Sequence, residues 1–240
     1  MRHVLFGTIA AAIIAAPLLA ASPVGFAALL SSPDRPAADK VRDADRKPAE
    51  LLAFAGVRPG MKVAELAPGG GYYTRILSLA LGDKGYNYTI GNRPSAAVEA
   101  WARTHGNVSQ AKITPGEALA PEPVDVVWTT LNYHDYKNVK INGTDAAALY
   151  NKSAFVSLKP GGVYLINDHQ TAAGAGASQT STLHRIEDKT VIQEVEAAGF
   201  KLEARSNMLR HASDDHSVHE REVARGKTDQ FVLRFRKPRR

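Results

Sequence analysis

The 240-residue chain contains no cysteine. That excludes thiolate metal sites, cysteine nucleophiles and disulfides, and it suits a protein that crosses an oxidising compartment without mispairing. Aromatic residues are scarce, at 7% of the chain, and no run of them is interleaved with the basic residues of the C-terminus, Arg234, Arg236, Lys237, Arg239 and Arg240. Nucleic-acid surfaces combine the two, so nucleic acid is not expected as a partner; the basic tail allows a peripheral contact with an anionic surface. Internal repeats, low-complexity tracts and ligand pairs of the HExxH kind are also missing. Long apolar runs are absent with one exception, Val4–Ala20.

That exception follows a short positive start, Met1-Arg2-His3, and leads into small residues at Ala20–Ser22 and Gly25-Phe26-Ala27. The pattern reads as a signal peptide over residues 1–27, cleaved at one of those two places, which makes the protein exported, periplasmic or secreted. The run is also near the lower length limit for a membrane anchor. Residues 28–36, "ALLSSPDRP", read as a linker, and the pattern turns helical from Ala37, so 28–47 form a linker and N-terminal helix. Residues 48–240 form one domain, a length that buries a single sizeable core.

Within that domain strands and helices alternate. Helices are expected after Pro48, over 72–81, 95–105, 144–158 and 188–198; strands over 61–66, 86–90, 108–113, 124–130 and 163–168. Two further strands, 200–208 and 229–236, close the chain with no helix between them. The α/β pattern predicts a Rossmann-like, doubly wound, mostly parallel seven-stranded sheet with an antiparallel terminal hairpin. Residues 171–182, rich in Ala, Gly, Ser and Thr, form a slack connection.

Ligands of such sheets bind beyond the carboxyl ends of the strands. "VAELAPGGGYYT" (63–74) places a glycine turn there. Gly69, Gly70 and Gly71 let backbone approach a ligand that any Cβ would block, and the next helix offers free N–H groups. Glu65 can accept from an amino or hydroxyl group. One of Tyr72 and Tyr73 can line the pocket; the other packs, since a helix turns about 100° per residue.

"VAELAPGGG", "VDVVWTTLNYHD", "LKPGGVYLIND" and "AAGF" together resemble the motifs of class I S-adenosylmethionine-dependent methyltransferases, in the family's order, over about residues 48–237. "RKPAELLAF", "NYHD", "LHRIED" and "TDQFVLRFRKP" are similar to an exported bacterial group described as predicted methyltransferases. The resemblance implies methyl transfer from S-adenosylmethionine to a small molecule or envelope component. It also implies that Glu65, Ala67, Pro68, Gly69, Gly70, Gly71 and Tyr72 hold the cofactor. Ala67 replaces the motif's first glycine. The acid that usually ends the second strand is replaced by Asn92, while Glu117 lies where an adenine-neighbouring acid is often found. That departure favours an alternative, a non-catalytic relative that keeps the pocket for binding.

A base that deprotonates the acceptor would sit after the fourth strand, in "LNYHDY". His134 has the right intrinsic pKa, Asp135 can orient it, and Tyr133 adds a hydroxyl. Asp168 and His169 end the fifth strand on the same edge and face the substrate. Together with His184 these groups permit a third reading, a divalent metal held by His and Asp. A second charged stretch, His211 to Glu220, reads as a solvated loop by its irregular spacing.

Overall fold

The computed structural model describes residues 23–239. Most of the expected signal segment lies outside the described residues. Phe26, at its far end, packs with Leu51, Leu52 and Tyr73 in a hydrophobic cluster. Among the described residues no helix is long and apolar enough to cross a membrane.

Helix α1 (Pro48–Ala55) begins on a proline, whose missing N–H is harmless in the first turn. It ends at Gly56, where a φ of +73° aims the N–H back at the last turn. Then come β1 (Lys62–Leu66), α2 (Tyr72–Leu81), β2 (Tyr86–Ile90), α3 (Ala96–Thr104), β3 (Val108–Ala111) and β4 (Val124–Thr130). The second half holds α4 (Tyr133–Lys137), α5 (Ala146–Ser157), β5 (Leu158–His169), α6 (Asp188–Ala197), β6 (Lys201–Ser206) and β7 (Gln230–Arg236).

The strands form one sheet in the order β3-β2-β1-β4-β5-β7-β6. β7 runs antiparallel to both its neighbours, and the other pairings are parallel. The order reverses between β1 and β4, which opens a crevice at their carboxyl ends. Alternate residues feed two cores. Ala64, Val127, Tyr164 and Ile166 join one cluster, while Val63, Val126, Trp128 and Leu165 join another. Both faces of the central strands are therefore covered, and their sequences are nearly continuous in apolar residues.

Three differences from the sequence pattern bear on the site. Strand β5 starts at Leu158, because Pro160-Gly161-Gly162 is absorbed into a register shift opposite Val124–Val126 instead of breaking the strand. Helix α4 and a small antiparallel pair, Lys140–Ile141 with Thr144–Asp145, fill the loop after β4. The segment expected as a linker and one helix is a series of short helical turns packed on the domain. Arg35, 2% exposed, holds Asp43 through two 2.7 Å bonds, and Asp39 pairs with Arg75 of α2 at 2.6 Å.

The basic C-terminus is largely engaged within the fold. Arg234 and Arg236 both pair with Glu203, and Lys237 donates to the carbonyls of Phe155 and Leu158.

Candidate functional site

The turn after β1 is conformationally demanding. Gly69 and Gly71 have φ of +53° and +77°, and Ala67 adopts +50°, which a residue with a Cβ does at some strain. A Cβ added at Gly69 or Gly70 would meet nothing within 4 Å, so both face open space. That space is a cavity of about 210 Å3 bordered by Glu65, Ala67, Pro68, Gly69, Gly70, Tyr72 and Tyr73.

Glu65 is 3% exposed. Thr74 Oγ1 and Asn87 Nδ2 donate to its Oε2, at 2.7 and 2.9 Å, and its Oε1 makes no hydrogen bond among the described residues. Burial raises its pKa to about 7, against the pull of those two bonds and of Arg75. Buried Glu65 thus borders a glycine-lined space with one carboxylate oxygen left without a hydrogen bond among the described residues.

Both tyrosines border the cavity, although they were expected to divide between pocket and core. The N-terminal turns hold them. Tyr72 donates to Asp43 at 2.6 Å, and Arg46 stands over the rings of both. Asn92 and Glu117 lie outside the cavity lining and are exposed; the Asn92 amide oxygen accepts from Tyr150 at 3.3 Å.

A second chamber of about 400 Å3 shares Arg42, Arg46, Tyr73 and Leu131 with the first. Its far side carries Asn167, His169 and Glu220. Leu131, between the two, is also in the left-handed region, at φ +57°. Arg42 and Arg46 have no carboxylate within ion-pair distance among the described residues. Burial, with Arg46 and Arg225 nearby, lowers the pKa of Arg42.

Beyond this chamber the imidazoles gather. Asp168, wholly buried, accepts from His134 Nδ1 at 2.7 Å and from the His134 backbone N–H at 2.8 Å. Asp168, not Asp135, therefore orients His134: it takes both the ring and the backbone hydrogen bond, while Asp135 lies 3.4 Å from the far nitrogen, Nε2. Burial opposes charge on His134, but Asp168, Asp135 and Glu220 outweigh it and hold its pKa above the ordinary value. Asp168 is spent on this bond and does not face substrate, as the sequence suggested it would.

His169 is the imidazole that borders the chamber. Burial lowers its pKa to about 4, so it is neutral near pH 7, and its Nδ1 is buried without a hydrogen-bond partner. His134 lines neither cavity. Tyr133, expected among the catalytic groups, is a core residue whose hydroxyl donates to Glu194 and accepts from Asn151.

The stretch expected as a solvated loop folds back over this corner. Arg185, fully buried, grips Asp214 at 2.8 and 3.0 Å, and Asp214 also accepts from the backbone of Asp229 and His216. That brings His219 to 4.7 Å from His184, ring to ring, and Glu220 to 3.8 Å from His169. Arg42 and Arg46 escaped sequence reasoning, and His219 and Glu220 were read as part of a solvated loop. No local pattern marks them, because they reach the site from the ends of tertiary connections.

No family model and no curated relative matches the chain. Solved structures do. A SAM-dependent methyltransferase from Aquifex aeolicus shares the fold at a TM-score of 0.57 and 18% identity, covering 90% of this chain and 98% of that one. The [4+2]-cyclase SpnF aligns at 0.60 and 16%, over 81% of each chain. The N-methyltransferase NodS from Bradyrhizobium japonicum aligns at 0.53 and 15%, over 82% and 96%. At such identities the likeness is one of fold, and the fold is that of the class I methyltransferases. A cyclase among the neighbours means that the fold alone does not fix the reaction.

Proposed function

We propose that the chain binds S-adenosylmethionine in the glycine-loop cavity and passes its methyl group to a small acceptor in the adjoining chamber. The observation that carries this reading is that buried Glu65, its Oε1 without a hydrogen bond among the described residues, borders the space kept open by Gly69 and Gly70. When bound, the cofactor supplies an electrophilic methyl group. The chain would do the rest by placement. Glu65 accepts from a cofactor donor, and the backbone of Gly69 to Gly71 allows close approach. Arg42 and Arg46, common to both cavities, suit a carboxylate at their junction. His169, neutral and bordering the chamber, is placed to take a proton from the acceptor.

Calorimetry tests the proposal with Gly70→Val. Gly70 has no positive φ and no neighbour at the Cβ position, so the substitution fills the cavity without straining the backbone. Binding to the wild type that Gly70→Val abolishes supports the reading; absence of heat with millimolar S-adenosylmethionine overturns it. The exposed position of Asn92 favours the second reading, ligand binding without transfer. Binding with no methyl transfer to any of a panel of small nucleophiles would select it.

Export belongs to the same proposal, with cleavage at Ala20–Ser22 instead of after Ala27, since the latter would remove Phe26 from its cluster. N-terminal sequencing of the chain recovered from outside the cytoplasm distinguishes the two.

A further inference from the structure

Three ligand-type atoms meet next to the buried His134–Asp168 pair. His134 Nε2 lies 3.4 Å from Asp135 Oδ1, and His184 Nδ1 lies 3.2 Å from the same oxygen. All three side chains offer their ligand atoms within 4.8 Å of one another. We propose that His134, Asp135 and His184 form a site for a divalent transition-metal ion of the zinc type, with a coordination position open to water.

The first argument is the state of His134. It is 3% exposed, and an ionised Asp168 can only accept, so Nδ1 carries the proton of that bond. Nε2 makes no hydrogen bond among the described residues and lies 3.4 Å from a carboxylate oxygen of Asp135. His184 Nδ1 approaches the same carboxylate oxygen, so a single cation at this point would be within reach of all three atoms. The separations choose its kind. A charge-assisted hydrogen bond runs at about 2.7–2.9 Å. Ligands at about 2.0–2.1 Å from a tetrahedral ion lie roughly 3.3 Å apart. The observed 3.4 and 3.2 Å are close to the second figure, and the two imidazole nitrogens lie within 4.8 Å of each other.

The surroundings match as well. A carboxylate behind the ligating histidine, fixing tautomer and ring, is the usual support for such a ligand, and Asp168 supplies it. His184 is held in the left-handed region, at φ +53°, which a non-glycine residue adopts at a cost. Its neighbour Arg185 pins it there through Asp214 and the carbonyls of Gln170 and Val218. On the open side, Asp135 and His184 are 47% and 28% exposed at their side chains, which leaves an entry path and room for water. Two imidazoles and one carboxylate suit zinc or its first-row neighbours better than calcium or magnesium. The ion would tie α4 to the segment before α6, and this inference does not depend on the cofactor proposal.

The test uses the untagged full chain after chelator treatment. Zn2+ should bind at one equivalent by calorimetry and raise the Tm. Asp135→Asn and His184→Ala, whose side chains are partly exposed, should fold, melt as the metal-free wild type does, and lose both the binding and the Tm rise. Asp168→Asn should weaken binding by about 10–100-fold. Co2+ gives a reading without variants, since visible d–d bands of an N/O-ligated ion are expected in the wild type. Absence of Zn2+ binding and of those bands overturns the site. So does binding that persists in both Asp135→Asn and His184→Ala, which would place the ion elsewhere, for instance at His211 and His216.

Discussion

One uninterrupted stretch, Glu65–Tyr73, supplies most of the floor of the glycine-loop cavity, and its shape comes from the backbone. The imidazole corner draws on α4, the end of β5, the His184–Arg185 pair and the residues near Asp214 and Glu220. Both lie on the same edge of the same sheet. The first depends largely on the backbone of a glycine turn next to Glu65, the second on side chains whose positions depend on other side chains. A local site of the first kind survives damage to distant parts of the fold; a site of the second kind does not.

The sharpest way to break the comparison is at Arg185. It and Asp214 are 0% and 1% exposed at their side chains, and removing one partner strands a buried charge. Arg185→Met should cost about 3–5 kcal/mol of stability. Urea unfolding would measure that, and a loss below 1 kcal/mol would contradict the assigned burial. The variant should also release His184 and abolish Zn2+ binding, while S-adenosylmethionine still binds where the protein remains folded. Adding Asp214→Leu should recover part of the stability, because the stranded carboxylate is then gone.

This difference also explains what could be read from sequence. Strand–helix alternation located all seven strands, and "PGGG" located the cavity, because each depends on residues adjacent in the chain. Five polar groups were expected to converge, and His134, Asp135, Asp168, His169 and His184 do meet. Their roles were not legible. Which carboxylate orients His134 depends on a contact across 34 positions, and which imidazole reaches the chamber depends on packing. The N-terminal cover was read as a linker because Pro and Ser mask the Arg35–Asp43 and Asp39–Arg75 pairs that fold it down.

Glu65 gives the next largest effect, and it belongs to the cavity alone. Its pKa of about 7 lies above the ordinary carboxylate value of 4.5. Between these values the folded protein keeps a proton that the unfolded chain releases, so stability falls as pH rises through that window. At roughly 1.4 kcal/mol per unit, the loss between pH 4.5 and 7 is on the order of 3 kcal/mol. Glu65→Gln, which can still accept from Thr74 and Asn87, should remove this dependence and raise Tm above pH 7. The same substitution should weaken S-adenosylmethionine binding. In the wild type, binding should strengthen from pH 6 to 8 as the carboxylate ionises. Thermal melts and calorimetry across pH check both, and a Tm that follows pH identically in the two proteins would contradict the assignment.

The smallest effect tests the border between the regions. Tyr72 donates to Asp43 at 2.6 Å, and Asp43 is already held by Arg35 through two bonds. Tyr72→Phe deletes one hydrogen bond and leaves the ring between Arg42 and Arg46, so the stability loss should be about 1 kcal/mol. The functional consequence should be larger than the thermodynamic one. Asp43 sits beside Arg42 in a cover whose Arg42 and Arg46 border both cavities, and a looser cover should speed cofactor release more than it slows entry. Zn2+ binding, which uses no residue of the cover, should not change. Stopped-flow dissociation of S-adenosylmethionine, with Zn2+ calorimetry on the same sample, separates the two sites. Faster release with an unaltered metal site is expected. A change in both would mean that the N-terminal turns brace the imidazole corner as well, and that the two regions are less independent than their construction implies.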